Sequence, residues 1–137
     1  MDIAVVYQSR GGNTKKVAEA IAKALHTAAW SVEEVKDLKC DLLFLGSGVY
    51  AASLDKTMKR FLDSLNGTSA KKAVLFGTSA GGRKPFGMMK KALEKKGIPV
   101  EKRMLFIPGQ FAFMNRGRPN EDDLLTAKVW AEGIISD

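Results

Sequence analysis

The stretch VVYQSRGGNTKKVAEAIAKAL, residues 5–25, decides the fold of this chain. It opens within an apolar run at 3–7, rich in β-branched residues, which has the length of a strand buried on both faces. Gly11 and Gly12 follow, and glycine permits backbone angles that other residues avoid and lets a ligand approach the main chain. Apolar residues then recur at helical spacing, namely Val17, Ile21 and Leu25. The pattern predicts a strand, a tight loop and a helix.

The loop of residues 9–14 has the chemistry of an anion site. Asn13 or Thr14 is expected to cap the helix, whose first N–H groups face outward beside the hydroxyls of Ser9 and Thr14. A phosphate is the natural occupant of such a helix start. The glycine spacing fits neither a nucleotide-triphosphate loop nor the dinucleotide fingerprint. A Gly-rich turn that serves chain geometry alone remains an alternative at this point.

The sequence SRGGNT at 9–14, after a strand, resembles the S-x-T-G-N-T phosphate loop of flavodoxins, which are small FMN-binding electron carriers. The likeness covers nearly the whole chain, through GSGVYAASLDKTMKRFLDSL at 46–65, AVLFGTSAGG at 73–82 and GRPNEDDLLTAKVWA at 117–131. Gly11 stands where the family usually has threonine, and the Arg10 guanidinium can replace the lost contact with a charge-assisted one. The resemblance implies FMN as the cofactor, with its phosphate in this loop.

Strands and helices alternate along the rest of the chain. Further strands are predicted at 28–31, 42–45, 73–76 and 100–107. Further helices are predicted after a Ser53 cap, from Pro85 to Gly97 and from an Asn120 cap, with a helical turn between Ser31 and Asp37. We therefore expect a single α/β domain over 1–137, with three layers and the flavodoxin-like fold. Its five-stranded parallel sheet has the order 2-1-3-4-5, with helices on both faces.

Three loops should meet where strands one, three and four end, because ligands of such sheets bind at the carboxyl ends of the strands. Tyr50 is the aromatic best placed to stack on an isoalloxazine ring. The resemblance also implies that the Gly48 peptide turns its carbonyl towards the reduced flavin. The candidate cofactor-binding residues are Ser9, Arg10, Gly11, Gly12, Asn13 and Thr14; Ser47, Gly48, Val49, Tyr50 and Ala51; and Thr78, Ser79, Ala80, Gly81 and Gly82.

Composition narrows the class of protein. The 137 residues are 45% hydrophobic, enough for one core, and no apolar run has the length of a membrane span. The start of the chain lacks a basic region and a cleavage site, so the cytoplasm is expected. Cys40 is the single cysteine and His26 the single histidine, so neither a disulfide nor a zinc site is expected.

The charge and one further motif raise rival functions. The net charge is +7, whereas flavodoxins tend to be acidic, so the charge favours an acidic redox partner. The basic pairs are spread over separate elements without interleaved aromatics, which disfavours nucleic acid. Ser79 lies in GTSAG, a match to the nucleophile elbow of serine hydrolases, but no histidine follows it to act as base.

No side chain in the sequence is a candidate catalytic base, metal ligand or activated nucleophile, so a bound cofactor must supply the chemistry. We therefore expect an FMN-binding electron-transfer protein with a redox partner protein and neither nucleic acid nor membrane as partner. Two alternatives stay open. One is an FMN-dependent reductase of quinone-like substrates, and the other is a flavodoxin-fold binding module that has lost flavin.

Overall fold

The protein contains a five-stranded parallel sheet with the order β2-β1-β3-β4-β5, as the sequence predicts. The computed structural model describes residues 1–49, 53–79, 82–110 and 115–137. Within them the strands are β1 (Ile3–Gln8), β2 (Ala29–Ser31), β3 (Cys40–Gly48), β4 (Ala70–Ser79) and β5 (Leu105–Pro108). The helices are α1 (Asn13–Ala24), α2 (Lys56–Ser64), α3 (Lys84–Lys95) and α4 (Glu121–Ser136). No helix in this described part has the length and apolarity needed to cross a membrane.

Two hydrophobic cores lie on opposite faces of the sheet, because successive strand residues point to opposite sides. Leu43 and Leu45 of β3 pack under α2 and α3, while Leu42 and Phe44 pack under α1 and α4. The Phe44 ring meets Trp130 of α4 edge to face, with the ring centroids 5.8 Å apart. The sheet is therefore covered by one helical layer of α1 and α4 and a second layer of α2 and α3.

Strands β3 and β4 run further than the predicted segments 42–45 and 73–76. Their ladder continues through the register pairs Ser47 with Gly77 and Gly48 with Thr78. Backbone pairing of neighbouring strands does not need apolar side chains, so it extends past the apolar runs that marked these strands in the sequence. Ser47, Gly48, Thr78 and Ser79 consequently lie at strand ends rather than in loops.

The predicted helical turn between Ser31 and Asp37 is wrong, and the chain forms only a short hydrogen-bonded turn at 32–34. The Ser31 N–H donates to Glu34 Oε1 at 2.9 Å, and the Glu33 N–H donates to Ser31 Oγ at 3.2 Å. Side chains thus close this turn locally, and Asp37 takes a left-handed φ of 51° that a helix cannot continue through.

The predicted fifth strand, 100–107, is shorter than expected and begins at Leu105. Val100 forms an isolated bridge with Ala73. The Arg103 N–H then donates to the Glu101 carboxylate at 3.1 Å, a local bond that competes with the sheet ladder over the next residues. Pairing resumes where Leu105 lies beside Phe76.

Helix starts show which of the predicted caps form. The predicted Ser53 cap of α2 is wrong, because the Asp55 carboxylate accepts from the Thr57 N–H at 2.9 Å and is the N-cap. The predicted Asn120 cap of α4 is confirmed as a capping box, in which Asn120 and Asp123 each accept from the other's N–H at 2.9 Å. Acidic residues occupy the first turn of α4, where they complement the helix dipole.

Asp123→Asn should lower the free energy of unfolding at pH 7 by about 1–2 kcal/mol. The Arg118 guanidinium donates to both Asp123 oxygens, at 2.5 and 2.6 Å, and holds the pKa of Asp123 below its usual range against the effect of burial. A depressed carboxyl pKa stabilises the fold above the unfolded pKa of about 4, and this contribution is lost as the pH falls through the folded value.

Urea unfolding between about pH 7 and pH 2 measures this effect. The difference in the free energy of unfolding between the native protein and Asp123→Asn should disappear at acid pH. Asp122→Asn is the control: it changes an exposed carboxylate one residue earlier and should lower the free energy of unfolding less at neutral pH. A gap that stays constant down to about pH 2 would contradict the assignment.

Candidate functional site

The predicted convergence of three segments is observed at the edge of the sheet where β1, β3 and β4 end, which we call the carboxyl edge. Gln8 lies beside Ser47 in the register of β1 and β3. Gly48 lies beside Thr78 in the register of β3 and β4. These pairs bring residues 9–14, 47–49 and 78–79 to one edge, at the point where the strand order reverses.

The loop after β1 keeps an open space at its two glycines. Gly12 is the N-cap of α1, with a left-handed φ of 93°, and its N–H donates to Ser9 Oγ at 3.0 Å. A Cβ atom built on Gly11 or Gly12 would meet nothing within 4 Å. No side chain in the described residues caps α1, so the N–H groups of its first turn have no side-chain acceptor. This donor set and the open space above it fit a phosphate group.

Asn13 and Thr14 do not cap α1, contrary to the prediction. Asn13 Nδ2 donates to the Gln110 carbonyl at 3.0 Å, and Thr14 Oγ1 lies 2.7 Å from Thr78 Oγ1 in a buried hydroxyl pair. Their side chains tie the start of α1 to the ends of β5 and β4. The left-handed Gly12 takes the cap position from them, because it is the residue that turns the chain into the helix.

Arg10 and Asp55 form an ion pair between the loop after β1 and the start of α2. Arg10 Nε donates to Asp55 Oδ1 at 2.8 Å, and the other Asp55 oxygen accepts from the Thr57 N–H. Partial burial opposes ionisation of Asp55, but hydrogen bonds from Thr57 and Arg10 outweigh it and hold the pKa of Asp55 below its usual range. The carboxylate is therefore charged at neutral pH and serves two elements at once.

The Gly48–Val49 peptide is held from both sides. Ser47 Oγ donates to the Gly48 carbonyl at 2.9 Å, and the Val49 N–H donates to the Thr78 carbonyl at 3.1 Å. Ser47 is fully buried, and its hydroxyl also lies 3.4 Å from Gln8 Oε1. Rotation of this peptide would break both of its hydrogen bonds, so its orientation is tied to Ser47 and Thr78.

Ser79 and the end of β5 complete the described part of the edge. Ser79 Oγ donates to the Gly82 carbonyl at 3.2 Å, and the Gly109 N–H donates to the Ser79 carbonyl at 3.3 Å. A Cβ atom on Gly109 would lie 3.1 Å from Asn13 Nδ2, so glycine allows the end of β5 to approach α1. Four of the predicted site residues, Tyr50, Ala51, Ala80 and Gly81, lie outside the described residues.

Sequence reasoning missed three residues that shape this edge. Asp55 had a local signal, since a carboxylate before the helix 56–64 is a common N-cap. Gln8 had no such signal, because the sequence does not show that this polar residue at the end of a strand is buried, with 5% of its surface exposed. Gly109 follows a strand like many turn glycines, and only the contact with Asn13 shows why a small residue is needed there.

The fold and the edge together define a class of protein: a doubly wound α/β domain with an open, glycine-lined helix start at the reversal of strand order. A family model described as a flavodoxin domain matches residues 4–122, and the chain belongs to this family. An uncharacterized protein of Methanocaldococcus jannaschii is 30% identical, and the match covers 98% of this chain and 99% of that protein.

Solved structures of flavodoxins share the fold. A flavodoxin from the domain Archaea matches with a TM-score of 0.83 and 24% identity, over 99% of this chain and 97% of that one. Oxidised flavodoxin 2 from Bacillus cereus matches with a TM-score of 0.76 and 19% identity, over 99% of both chains. Membership of the flavodoxin family indicates FMN as the cofactor, and the open loop at 9–14 fits its phosphate.

Arg10→Gln should weaken the binding of FMN and of riboflavin by a similar factor. Riboflavin lacks the phosphate, so a common loss would show that Arg10 acts by holding the loop to Asp55. The Arg10 side chain is 58% exposed, so its pair with Asp55 should add at most about 1 kcal/mol to stability.

Quenching of flavin fluorescence gives both affinities, and Arg103→Gln is the matched control. Arg103 also pairs with a carboxylate, Glu101, but it precedes β5 and so lies away from the carboxyl edge. A loss confined to FMN would instead mean that Arg10 leaves Asp55 and contacts the phosphate.

Proposed function

We propose that this protein is an electron carrier that binds FMN at the carboxyl edge and passes electrons to a redox partner protein. The observation that carries the proposal is the start of α1 at the reversal of strand order, which has no side-chain cap and has open space at Gly11 and Gly12. A phosphate there would meet backbone N–H groups and the positive end of the helix dipole. The ends of β3 and β4 lie beside it in register.

We assign different parts of FMN to the different segments of the carboxyl edge. Residues 9–14 would hold the phosphate, while residues 47–51 and 78–82 would contact the ring and the ribityl chain. FMN supplies the redox chemistry when it is bound, and the protein supplies position and electrostatics. Ser47 and Thr78 are buried and bonded to protein groups, so they act by fixing the backbone of the edge. In this proposal Thr14 accepts from the Thr78 hydroxyl, which leaves its own hydroxyl proton to donate to the phosphate.

The described part of the edge favours electron transfer over proton-coupled reduction of a bound substrate. Among the predicted site residues that the structure describes, Arg10 is the one ionisable side chain, and it pairs with Asp55. Ser79 has its hydroxyl bonded to the Gly82 carbonyl, and the chain's one histidine, His26, follows the far end of α1. A reductase of quinone-like substrates is therefore the second candidate, and kinetics distinguish the two.

The partner should be acidic, because the protein has a net charge of +7. Opposite charges steer two proteins together, and salt screens this attraction over a Debye length of about 8 Å at physiological ionic strength. Electron transfer to an acidic partner should therefore slow as salt is added.

The decisive experiment is a titration of the flavin-free protein with FMN, followed by potentiometry and by quinone reduction assays. Stoichiometric binding with two separated one-electron potentials supports the carrier. Stoichiometric binding with a single two-electron step and rapid quinone turnover supports the reductase. Absence of FMN binding would leave the flavin-free binding module as the function of the fold.

Thr14→Ala should weaken the binding of FMN by about tenfold or more, since a hydrogen bond to a charged group contributes about 1.5–3 kcal/mol. It should weaken the binding of riboflavin less, because riboflavin lacks the phosphate. Thr14→Ser keeps the hydroxyl and is the matched control, which should bind FMN nearly as the native protein does. Flavin fluorescence measures the affinities of the native protein and both variants for FMN and for riboflavin. Equal weakening of FMN and riboflavin by Thr14→Ala would place the phosphate elsewhere.

A further inference from the structure

The positive charge of the protein is concentrated on one of its two helical layers. Helices α2 and α3 with their caps, residues 55–65 and 83–96, contain nine basic and three acidic residues, a net charge of +6. Helices α1 and α4 with their caps, residues 12–25 and 120–137, contain four basic and six acidic side chains, a net charge of −2. The sequence does not show this asymmetry, because the fold decides which helices share a layer.

We call the outer surface of the layer formed by α2 and α3 the α2–α3 face. Its basic residues are Lys56, Lys59 and Arg60 on α2, and Arg83, Lys84, Lys90, Lys91, Lys95 and Lys96 on or next to α3. Lys84, Lys91 and Lys95 share one stripe of α3 at helical spacing and are all exposed. Met88 lies in the same stripe and is 39% exposed. No basic side chain of this face forms an ion pair within the described residues.

This face borders the proposed flavin site. Helix α2 begins after the segment that follows β3, and α3 begins after the segment that follows β4. Both helices therefore start at the carboxyl edge, with Lys56 and Lys84 as their first residues. A molecule bound to the α2–α3 face would lie next to the ends of β3 and β4.

We propose that the α2–α3 face is the docking surface for an acidic protein partner, with the Lys84, Met88, Lys91 and Lys95 stripe of α3 at its centre. The proposal rests on the proposed electron-carrier function for the nature of the exchange and on the charge pattern for the surface. A carrier must bind and release its partner rapidly, and complementary charges raise the association rate without requiring a large buried interface.

The surface fits a protein better than the other polyanions. Single-stranded nucleic acid is held by aromatic side chains that stack on bases, and the described residues of α2 and α3 expose no aromatic ring. An interfacial membrane helix needs a broad apolar face, whereas Met88 is the one large apolar side chain exposed on these two described helices. One methionine among lysines suits a small apolar contact within an acidic patch.

The test compares two triple variants of equal charge. The face variant carries Lys84→Gln, Lys91→Gln and Lys95→Gln, and the control carries Lys23→Gln, Lys102→Gln and Lys128→Gln. Both lower the net charge from +7 to +4, but the control residues lie on α1, before β5 and on α4. Each protein is titrated with poly-L-glutamate, short duplex DNA and phosphatidylserine vesicles at low and at physiological salt. The FMN-loaded proteins are also reduced with dithionite, freed of excess reductant, and then oxidised by ferricyanide or by the cationic ruthenium(III) hexaammine.

At low salt the face variant should bind poly-L-glutamate about tenfold more weakly than the native protein and react more slowly with ferricyanide. The control should change by less than about twofold, and oxidation by the cationic reagent should not slow in either variant. Equal losses in the two variants would overturn the proposal, because net charge alone would then explain the binding.

Two other outcomes separate the rival explanations. Tighter binding of DNA or vesicles than of poly-L-glutamate at physiological salt would also overturn the proposal, in favour of that polyanion. Face-specific binding of poly-L-glutamate by a protein that fails to bind FMN would support the surface and refute the carrier function, so the two failures are distinguishable.

Discussion

The parallel pairing of β1 with β3 is the constraint on which the site depends. It places Gln8 beside Ser47, and the ladder continues through β4 so that Gly48 lies beside Thr78. Gln8 and Thr78, which are 70 residues apart in the chain, therefore lie at one edge. The buried Thr14–Thr78 hydroxyl pair then joins the helix after β1 to the end of β4. Loops can differ at this edge without changing the position of the site, because strand register fixes their starting points.

Glycines at this end of the sheet serve two physical purposes. At Gly46 and Gly77 an added Cβ would clash with the rings of Phe76 and Phe86, so these glycines let the core close over the strands. At Gly11 and Gly12 an added Cβ would meet nothing within 4 Å, so the chain keeps a space that the protein itself does not fill. The first pair of glycines thus meets a packing requirement, whereas the second pair leaves room for a ligand to approach the main chain.

The sequence was sufficient to predict the strand order, the layers and the meeting of three segments, because each rests on repeated apolar periods and on general rules of chain connection. The Asn120 cap was also predictable, since its capping partner lies three residues away. The choice between neighbouring candidate cap residues could not be predicted. Asp55 rather than Ser53 caps α2, because its carboxylate also meets Arg10, which is 45 residues distant.

The same limit explains the errors at β5 and at α1. The hydrogen bond from the Arg103 N–H to Glu101 makes the fifth strand begin later, at Leu105, although both residues lie within the predicted strand 100–107. Gly12 replaces Asn13 or Thr14 as the cap because its φ is positive, and those two side chains are used by Gln110 and Thr78. Sequence patterns report the average preference of a residue type, while these outcomes depend on contacts between elements.

The distribution of charge over the helix starts lowers helix stability, and packing alone does not explain it. Helix α4 follows the rule for stability, with three acidic residues in its first turn. Helices α2 and α3 have none there and begin with lysine, and each unfavourable charge at a helix start costs about 0.3–1 kcal/mol. Asp55 offsets part of this cost at α2 by capping it, but α3 has Arg83 as its N-cap and no side-chain cap bond. Lysine at the starts of α2 and α3 therefore carries a local cost in stability, which the proposed docking of an acidic partner on the α2–α3 face would explain.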